Sequence, residues 1–279
     1  MKILFLTNMD NDAADEDRYL VKNLSEHFEI VVSHPLKCGQ YLPSVAGIII
    51  RNIWPTHEYR KEWTDISNHI LDLRIPTYNP LTGKGDTQGK NYLVDLYKAN
   101  FPVIPSIDEV ADLNELPESE LYWIKPKYSC DGVGAKKISK QAILKSALRD
   151  YIIQPYVDFK SEPSFYFIDN QFSYAVAMPN RLDDKDLKFY EPTEKDLDFA
   201  QGFVNWNRLP YGIQRVDAVR TKNGELLLTE IEDLAGYLYL LEIDVKNRKR
   251  ITSQLVDSIK LHLEDTLDWH ETLPSQHTG

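Results

Sequence analysis

The segment RVDAVRTKNGELLLTEIE, at residues 215–232, places the tightest limits on how this chain folds. Asn-Gly between two runs rich in apolar residues is the strongest short-range signal for a β-hairpin, because a type I′ turn needs positive φ at both central residues. With Asn223 and Gly224 in those positions, Lys222 faces Glu225 across the turn. The pattern therefore predicts two paired strands and a definite register between them.

Carried along both strands, this register places charged side chains opposite one another. Asp217 then lies opposite Glu230, and Arg215 lies opposite Glu232. Because side chains alternate with a period of two, all four project from one face of the hairpin. Like charges directly opposite each other repel at Cβ separations of roughly 4.5–5.5 Å. The pattern therefore indicates either a site for a divalent metal ion or a surface ion pair beside a tolerated clash.

Composition and charge exclude several classes of protein. The 279 residues suffice for one large domain or for two to three small ones. The net charge of −11, without any basic stripe, argues against general nucleic-acid binding. Only Cys38 and Cys130 occur, which is too few for a disulfide framework and fits a reducing compartment. With no apolar run of transmembrane length and no signal-peptide pattern, we expect a cytoplasmic protein without a membrane partner.

The first third of the chain alternates strands with helices. KILFLTN, EIVVS and AGIIIRN have the pattern of buried strands, and residues 15–28 and 59–73 have helical apolar spacing. This alternation predicts a parallel sheet covered on both faces. No G-x-G-x-x-G follows the first strand, so dinucleotide binding has no local support. The segment IPTYNPLTGKGDTQGK, rich in Pro and Gly, then predicts a boundary.

Beyond this boundary the pattern changes to hairpins and separate helices. A helix is predicted over residues 91–100 and a second hairpin turns at Asp169-Asn170. Thr193 is a candidate N-cap of the next helix, and a long helix is predicted over residues 247–267. The final segment ETLPSQHTG has the character of a frayed tail.

The segment LYWIKPKYSCDGVGAKKIS predicts a strand, a Gly-containing turn and another strand. It is not a Walker A loop, since G-x-x-x-x-G-K-[ST] is absent. Gly132 and Gly134 allow positive φ and close approach of the backbone to a ligand. Lys125, on the preceding strand, is placed to reach a phosphate held under the turn. The alternative is a flexible hairpin tip with solvated lysines.

The order of these features resembles the ATP-grasp superfamily of ATP-dependent carboxylate–amine ligases. Lys90 opens a helix, Lys125 precedes the Gly-rich hairpin, a strand ends at Gln154-Pro155, an acid-Pro-Ser step begins at Glu162, and the Arg-x-Asp…Glu-x-Glu hairpin comes last. The segments AGIIIRNIWPTHEYR and PTYNPLTGKGDTQGKNYLVDLYKANFPVIPS look like the N-terminal part of the prokaryotic glutathione synthetase and D-cycloserine ligase branch. The resemblance covers residues 51–241, and the spacing between the two acids at 217 and 230 matches the superfamily's metal hairpin.

This resemblance implies a mixed α/β and α+β architecture, the ATP-grasp fold. Residues 1–86 would form a short N-terminal parallel α/β domain, and residues 87–157 a small central subdomain with the Gly-rich flap. Residues 158–270 would form a C-terminal antiparallel-sheet subdomain with the metal hairpin, followed by a tail at residues 271–279.

The resemblance also implies roles for individual residues, which fall into three groups. The residues that would bind ATP, at its phosphates, flap, adenine hinge and ribose, are Lys90, Lys125, Gly132, Gly134, Gln154, Tyr156, Val157 and Glu162. The ligands of two Mg²⁺ ions would be Asp217, Glu230 and Glu232. The residues that would contact the reacting groups or the substrate are Arg215 at the transferred phosphoryl group, either Arg181 or Lys188 at the acyl phosphate, and Arg51 and Trp54.

The implied activity joins the carboxylate of a small amino acid or peptide to an amine or a thiol. The carboxylate attacks the γ-phosphate of ATP to give an acyl phosphate and ADP, and the amine then displaces phosphate. Phosphoryl transfer asks the protein mainly for positioning and charge neutralisation, which Lys, Arg and paired metal ions supply. The implied partners are small-molecule acids and amines, and such ligases often form homodimers.

Two departures from the family pattern leave alternatives open. Glu232 stands where many members have Asn, although a third carboxylate still suits Mg²⁺. The segment EDLAGYLYL lacks the proline that commonly follows the metal hairpin, so the acceptor substrate stays undetermined. One alternative is a nucleotide-binding protein without ligase turnover. The other is a glycoside hydrolase with Asp217 and Glu230 as its carboxylate pair, which leaves Lys90 and Lys125 without a function.

Overall fold

Three separate β-sheets form the framework of the protein. The computed structural model describes residues 1–10, 14–54, 56–129, 132–146, 148–178 and 187–271, with side chains described as far as residue 263. Within this part of the chain, one sheet is parallel and two are antiparallel. Each sheet falls inside one of the three predicted parts of the chain, whose boundaries stay predictions.

The N-terminal sheet is parallel, as the alternation of strands and helices predicts. Its strands are β1 (Lys2–Leu6), β2 (Glu29–Ser33), β3 (Gly47–Ile50) and β4 (Thr77–Tyr78), in the order β2-β1-β3-β4. Helix α1 (Ala14–Leu24) packs on the face that carries Ile3 and Phe5. Helix α2 (Arg60–Asp72) packs on the opposite face, which carries Leu4 and Leu6. Successive side chains of β1 therefore serve two cores.

The central sheet is a three-stranded antiparallel unit with the Gly-rich turn at its end. Helix α3 (Tyr92–Lys98) precedes its strands, which are β5 (Leu121–Pro126), β6 (Lys136–Ser139) and β7 (Tyr151–Pro155), in the order β6-β5-β7. Helix α4 (Lys140–Leu144) follows β6, and Ile143 packs against Tyr122, Ile124 and Ile153. Short 3-10 helices elsewhere lie at Pro35–Lys37, Leu42–Ser44, Thr56–Glu58, Asp86–Gln88 and Val110–Glu115.

The C-terminal sheet has five antiparallel strands. They are β8 (Phe159–Ile168), β9 (Gln171–Met178), β10 (Lys188–Phe189), β11 (Ile213–Thr221) and β12 (Leu226–Glu232), in the order β10-β9-β8-β11-β12. The predicted turn between β8 and β9 is confirmed, with positive φ at both Asp169 and Asn170. Helix α5 (Glu194–Asn207) begins with the predicted N-cap, since the Thr193 hydroxyl accepts a hydrogen bond from the backbone N–H of Asp196.

The turn between β11 and β12 differs from the prediction. Gly224 has a φ of 91°, whereas Asn223 has no positive φ, and the N–H of Thr221 bonds to the carbonyl of Glu225. The loop therefore contains three residues, 222–224, and Lys222 does not pair with Glu225. Three-residue hairpin loops of this kind end in a residue with positive φ, which is Gly224 here. A bulge at Thr229 then shifts the register back. The three-residue loop shifts the strand register by one residue and the bulge shifts it back, so the charged pairs have the predicted register.

Helix α6 (Val245–Glu271) is longer than the predicted span of residues 247–267. Its buried side chains, Ile251, Leu255 and Leu263, join a core that also contains Ile3 of β1 and Tyr166 of β8. This helix therefore ties the N-terminal sheet to the C-terminal sheet. None of the helices within the described residues combines the length and the apolar character that crossing a bilayer requires. Residues 272–279 of the predicted tail lie outside the described residues.

Candidate active site

The charged face of the β11–β12 hairpin is assembled as the sequence register predicts. Asp217 pairs with Glu230 and Arg215 with Glu232 in the strand register. The guanidinium of Arg215 lies among the acids: its Nε donates to both carboxylate oxygens of Asp217 at 3.0 Å, and its Nη2 contacts both Asp217 and Glu232. The side chains of this face are largely buried. One cation on the hairpin therefore serves two of its three carboxylates.

Two lysines from other elements act on the remaining carboxylate, Glu230. Lys90 lies just before α3, is buried, and forms an ion pair with Glu230 through its Nζ. Lys125 on β5 adds positive charge from the central sheet. Burial alone would raise the pKa of Glu230, but Lys90 and then Lys125 hold this pKa below its usual value. The segment before α3, β5 and β12 thus all contribute a charge at one carboxylate.

The pKa of Glu232 indicates an excess of negative charge on this face. Burial raises the pKa of Glu232 to about 8, because Arg215 offsets only part of that effect and Asp217 and Glu230 raise the pKa further. A carboxyl group with such a pKa gains or loses its proton near neutral pH. The face therefore favours additional positive charge beside Glu232.

The donor set of this face fits Mg²⁺ that arrives with a phosphate ligand. Asp217, Glu230 and Glu232 supply carboxylate oxygens, the donors that Mg²⁺ prefers. Within the described residues, no group of three or more Asp, Glu, His and Cys side chains is arranged to hold a metal ion by itself. Arg215 and Lys90 already engage these oxygens. Because Mg²⁺ is usually bound through one or two carboxylates together with substrate phosphates, the set suits a metal–nucleotide complex.

The Gly-rich turn between β5 and β6 has the backbone geometry that its glycines predict. Gly132 and Gly134 have φ values of 70° and 73°. A Cβ at position 134 would also lie 2.8 Å from Cγ of Pro126, so glycine is required there for two reasons. Gly134 therefore lies against Pro126, the residue that follows Lys125 on β5.

The predicted adenine and ribose residues line the connection from β7 to β8. Gln154 is buried on β7, and its Nε2 donates to the hydroxyl of Ser106 at 2.8 Å. Tyr156 follows the strand and is exposed, with Nζ of Lys137 3.7 Å from its ring centre. Val157 is half-buried, and Glu162 lies on β8 opposite Met178. These residues therefore lie in sequence along the junction of the central and C-terminal sheets.

A cavity of about 130 Å³ opens beside Lys90. Residues from four places form its walls: Trp54 with residues between 56 and 64, the segment 86–90 before α3, residues 127–129 after β5, and Leu234 after β12. Trp54 lines it, as does Tyr128, whose ring lies 3.2 Å from the guanidinium carbon of Arg60. The cavity therefore shares Lys90 with the charged face of the hairpin.

Several solved structures with a similar fold are ligases. No protein-family model and no curated protein matches this sequence. The structure is similar to D-cycloserine synthetase DcsG, with a TM-score of 0.75, 18% identity, and 92% of this chain and 99% of that chain covered. The chain has the ATP-grasp fold. This result confirms the fold that the sequence resemblance implies.

Two further ATP-grasp structures are similar over nearly their whole length. D-alanine–D-alanine ligase from Bacillus anthracis has a TM-score of 0.68 and 15% identity, covering 97% of this chain and 99% of its own. The ATP-grasp ligase PsnB, complexed with a variant of its minimal precursor, Mg and ADP, has a TM-score of 0.64 and 13% identity, covering 92% of this chain and 96% of its own. At these identities the likeness establishes the fold alone.

Two other predicted residues, Arg51 and Lys188, form no hydrogen bond or ion pair with the charged face within the described part of the chain. Arg51 follows β3 and is buried, with its Nη2 3.1 Å from Oε1 of Glu16 and its Nε 3.7 Å from Oδ1 of Asp17. It does not line the cavity beside Lys90. Lys188 is exposed on β10, opposite Ala177 in the strand register. Arg181 lies outside the described residues.

Two aspartates that the sequence pattern did not single out lock the site together. The carboxylate of Asp233 accepts hydrogen bonds from the backbone N–H groups of Gly85 at 2.7 Å and Thr87 at 3.0 Å. In return, Oδ1 of Asp86 accepts from the N–H groups of Asp233 at 2.7 Å and Leu234 at 3.0 Å. The segment before Lys90 is thereby fixed to the end of β12. The sequence signal that could have identified Asp86 is its position between Gly85 and Thr87 in a predicted loop.

Proposed function

We propose that this protein is an ATP- and Mg²⁺-dependent ligase. It joins the carboxylate of a small amino acid or peptide to an amine, or to a thiol, through an acyl phosphate, and releases ADP and phosphate. The observation that carries this proposal is the charged face of the hairpin, where Arg215 and three carboxylates meet Lys90 and Lys125. We expect the reaction in the cytoplasm, where ATP is available.

Lys90, Lys125 and the Gly-rich turn would bind the phosphates of ATP. Both lysines already act on Glu230, so the ammonium groups lie where a phosphate–metal complex would replace that carboxylate as their partner. Gly132 and Gly134 expose backbone N–H groups that approach an anion closely. The nucleoside would lie along the junction that carries Gln154, Tyr156, Val157 and Glu162.

The metal ions would be held by Asp217, Glu230 and Glu232. When bound, Mg²⁺ would neutralise the charge that develops on the phosphate oxygens. The burial and high pKa of Glu232 support this assignment, because a second positive charge beside it removes the cost of its ionisation. Two ions suit three carboxylates better than one, since each Mg²⁺ takes only one or two protein carboxylates.

The chemistry needs positioning rather than a protein nucleophile. A carboxylate oxygen of the acid substrate forms a bond to the γ-phosphorus while the bond to the ADP oxygen breaks. The amine nitrogen then attacks the acyl carbon, the carbon–oxygen bond to phosphate breaks, and the nitrogen loses a proton to solvent. Arg215 would face the transferred group, because its guanidinium is fixed on the hairpin face and always charged. Lys188 or Arg181 would cover the acyl phosphate.

The acid substrate would occupy the cavity lined by Trp54. This cavity touches Lys90, so a carboxylate within it lies beside the lysine that also faces the hairpin acids. A volume of about 130 Å³ suits an amino-acid-sized group. Arg51, which is buried with Glu16 and Asp17, does not line this cavity.

Trapping with hydroxylamine tests this function without knowledge of the natural amine. Wild-type protein, MgATP and a panel of amino acids, hydroxy acids and dipeptides are incubated with hydroxylamine, and ADP and hydroxamate are measured. A ligase forms both products in equal amounts with one class of acid, and Asp217→Asn forms neither. ATP binding without ADP release across the whole panel would instead favour a nucleotide-binding protein without turnover.

A further inference from the structure

The segment that follows β12, residues 233–240, crosses directly over the charged face, and we call it the strap. The carbonyl oxygen of Tyr237 accepts hydrogen bonds from Nη1 of Arg215 and from the hydroxyl of Tyr166, both at 2.9 Å. A Cβ at Gly236 would lie 3.0 Å from Oε2 of Glu232 and 3.7 Å from Cβ of Arg215. The strap therefore contacts the face that would receive the phosphoryl group, and one of its carbonyls orients Arg215.

A side chain from the N-terminal sheet region holds the other end of the strap. Oε1 of Glu16 accepts from the backbone N–H of Leu238 at 3.0 Å, and Oε2 accepts from the N–H of Leu240 at 2.8 Å. Glu16 lies on α1 and is only 1% exposed. Arg51 donates to Oε1 at 3.1 Å and supplies the compensating charge. The two backbone N–H groups that Glu16 binds lie on either side of Tyr239. The first belongs to Leu238, the residue after the Tyr237 carbonyl that accepts from Arg215.

We propose that Glu16 is a positioning residue: by holding the strap at Leu238 and Leu240, it sets the Tyr237 carbonyl and through it the orientation of the Arg215 guanidinium. This inference rests on the proposed role of Arg215 at the transferred phosphoryl group. It also gives the buried Glu16–Arg51 pair a function, since a buried ion pair is by itself weak evidence of stabilisation.

The hydrogen bonds at position 16 are those of an ionised carboxylate, the form of Glu16 that prevails above its pKa of about 7. Both oxygens of Glu16 accept from backbone N–H groups, and Oε1 accepts from Arg51 as well. The amide of glutamine has the same shape but offers one acceptor and one donor. Its NH₂ group would therefore face a donor, either a strap N–H or the Arg51 guanidinium, and the strap would shift.

The adjacent acid on the same helix provides a matched control. Asp17 is as buried as Glu16 and also faces Arg51, but it bonds to the hydroxyl of Thr7 and makes no contact with the strap among the described residues. Asp17→Asn therefore disturbs the same buried cluster without releasing the strap. Tyr166→Phe is a second, milder variant that removes one of the two donors to the Tyr237 carbonyl.

The test compares the binding of ADP with that of AMP-PNP, which carries a γ-phosphoryl group, by calorimetry in Mg²⁺. Arg215→Gln sets the reference, because removing a charged contact to that group should weaken AMP-PNP about tenfold and leave ADP within about twofold. We expect Glu16→Gln to reproduce most of this selective loss, Tyr166→Phe to reproduce part of it, and Asp17→Asn to keep the wild-type ratio.

The outcomes separate this inference from the function on which it rests. If Arg215→Gln leaves both affinities unchanged, the proposed role of Arg215 is wrong. If Arg215→Gln loses AMP-PNP selectively but Glu16→Gln keeps the wild-type ratio, the positioning role of Glu16 is wrong. A parallel loss of both ligands in Glu16→Gln and in Asp17→Asn would also overturn it, since that result indicates general disruption of the fold. If Glu16→Gln does not fold, an unchanged ratio in Tyr166→Phe overturns the inference.

Discussion

Lys90 and Glu230 form a largely buried ion pair that joins the segment before α3 to β12, 140 positions later in the sequence. Each partner has a second connection: Lys90 lines the cavity, and Glu230 lies opposite Asp217 on the charged face. The pair therefore links the proposed substrate cavity to the proposed metal site. We expect Lys90 to exchange Glu230 for a phosphate when MgATP binds.

Replacing Lys90 by Met should weaken both the fold and nucleotide binding. Loss of the Lys90 ammonium leaves the partly buried carboxylate of Glu230 with less positive charge beside it. This loss costs about 1–3 kcal/mol of unfolding free energy. Loss of a phosphate contact should raise the dissociation constant of MgATP at least tenfold, or about 1.4 kcal/mol. Urea denaturation and calorimetry measure the two effects. Lys136→Met, at an exposed position on β6, is the control and should change neither.

Gly89 should tolerate no side chain. Its φ is 87°, and a Cβ there would lie 2.5 Å from Cε1 of Tyr128 and 3.0 Å from the carbonyl oxygen of Lys127. Gly89→Ala therefore strains the backbone and displaces a wall of the cavity, which we expect to cost at least about 2 kcal/mol of unfolding free energy. Gly39→Ala, at a position where a Cβ meets nothing within 4 Å, should stay within about 0.5 kcal/mol of wild type. Equal stabilities of the two variants would contradict this assignment.

Stability should fall as the pH rises through the titration of Glu16. Burial raises the pKa of this carboxyl from 4.5 to about 7, and Arg51 offsets part of the effect. Between these two values the folded protein holds a proton that the unfolded chain has released, so the unfolding free energy decreases with pH. At 1.36 kcal/mol per pKa unit, the decrease attributable to this group is on the order of 3 kcal/mol.

Denaturation at pH 5, 6, 7 and 8 measures this dependence. Glu16→Gln should flatten the profile, whereas Asp15→Asn, an exposed acid on the same helix, should preserve the wild-type slope. A Glu16→Gln profile as steep as that of wild type would show that another group carries the effect. Asp17 also has a raised pKa, chiefly through burial, and contributes with the same sign, so some slope should persist.

Trp54 should affect the acid substrate but not the nucleotide. It lines the cavity together with Lys90, whereas the predicted nucleoside residues lie along the β7–β8 connection. Trp54→Ala should therefore raise the KM for the best acid found by hydroxylamine trapping about tenfold or more, since burial of an aromatic contact is worth about 1.5–3 kcal/mol. The KM for ATP should stay within about twofold. A rise in the KM for ATP alone would place the acid elsewhere.

The sequence predicts the pairs of the charged face correctly, although two local errors cancel before these pairs. The period of two and the Asn-Gly signal place Arg215 and Asp217 opposite Glu232 and Glu230, and the structure confirms these pairs. The predicted turn is wrong, since a three-residue loop and a bulge replace the expected two-residue loop. Alternative turns differ little in sequence requirement, so local pattern alone does not select between them.

Features that depend on tertiary packing were not accessible from the sequence. The burial of Arg51 with Glu16 depends on how α1 packs across the parallel sheet. The hold of Glu16 on the strap joins residues more than 220 positions apart. No rule of residue spacing in the sequence predicts such a contact. The fold class, by contrast, followed from the order of strands and helices and from the resemblance of the ordered motifs.

Calorimetric titration of MgATP tests most directly whether the charged face binds a metal–nucleotide complex. Wild-type protein is compared with the double variant Asp217→Asn with Glu230→Gln, and with a control that carries Asp198→Asn and Glu225→Gln at exposed positions of the same part of the chain. We predict Mg²⁺-dependent ATP binding by wild type and control, and its loss in the Asp217/Glu230 variant. Absence of binding at millimolar ATP, or binding that neither Mg²⁺ nor the two acids affect, would contradict the proposed function.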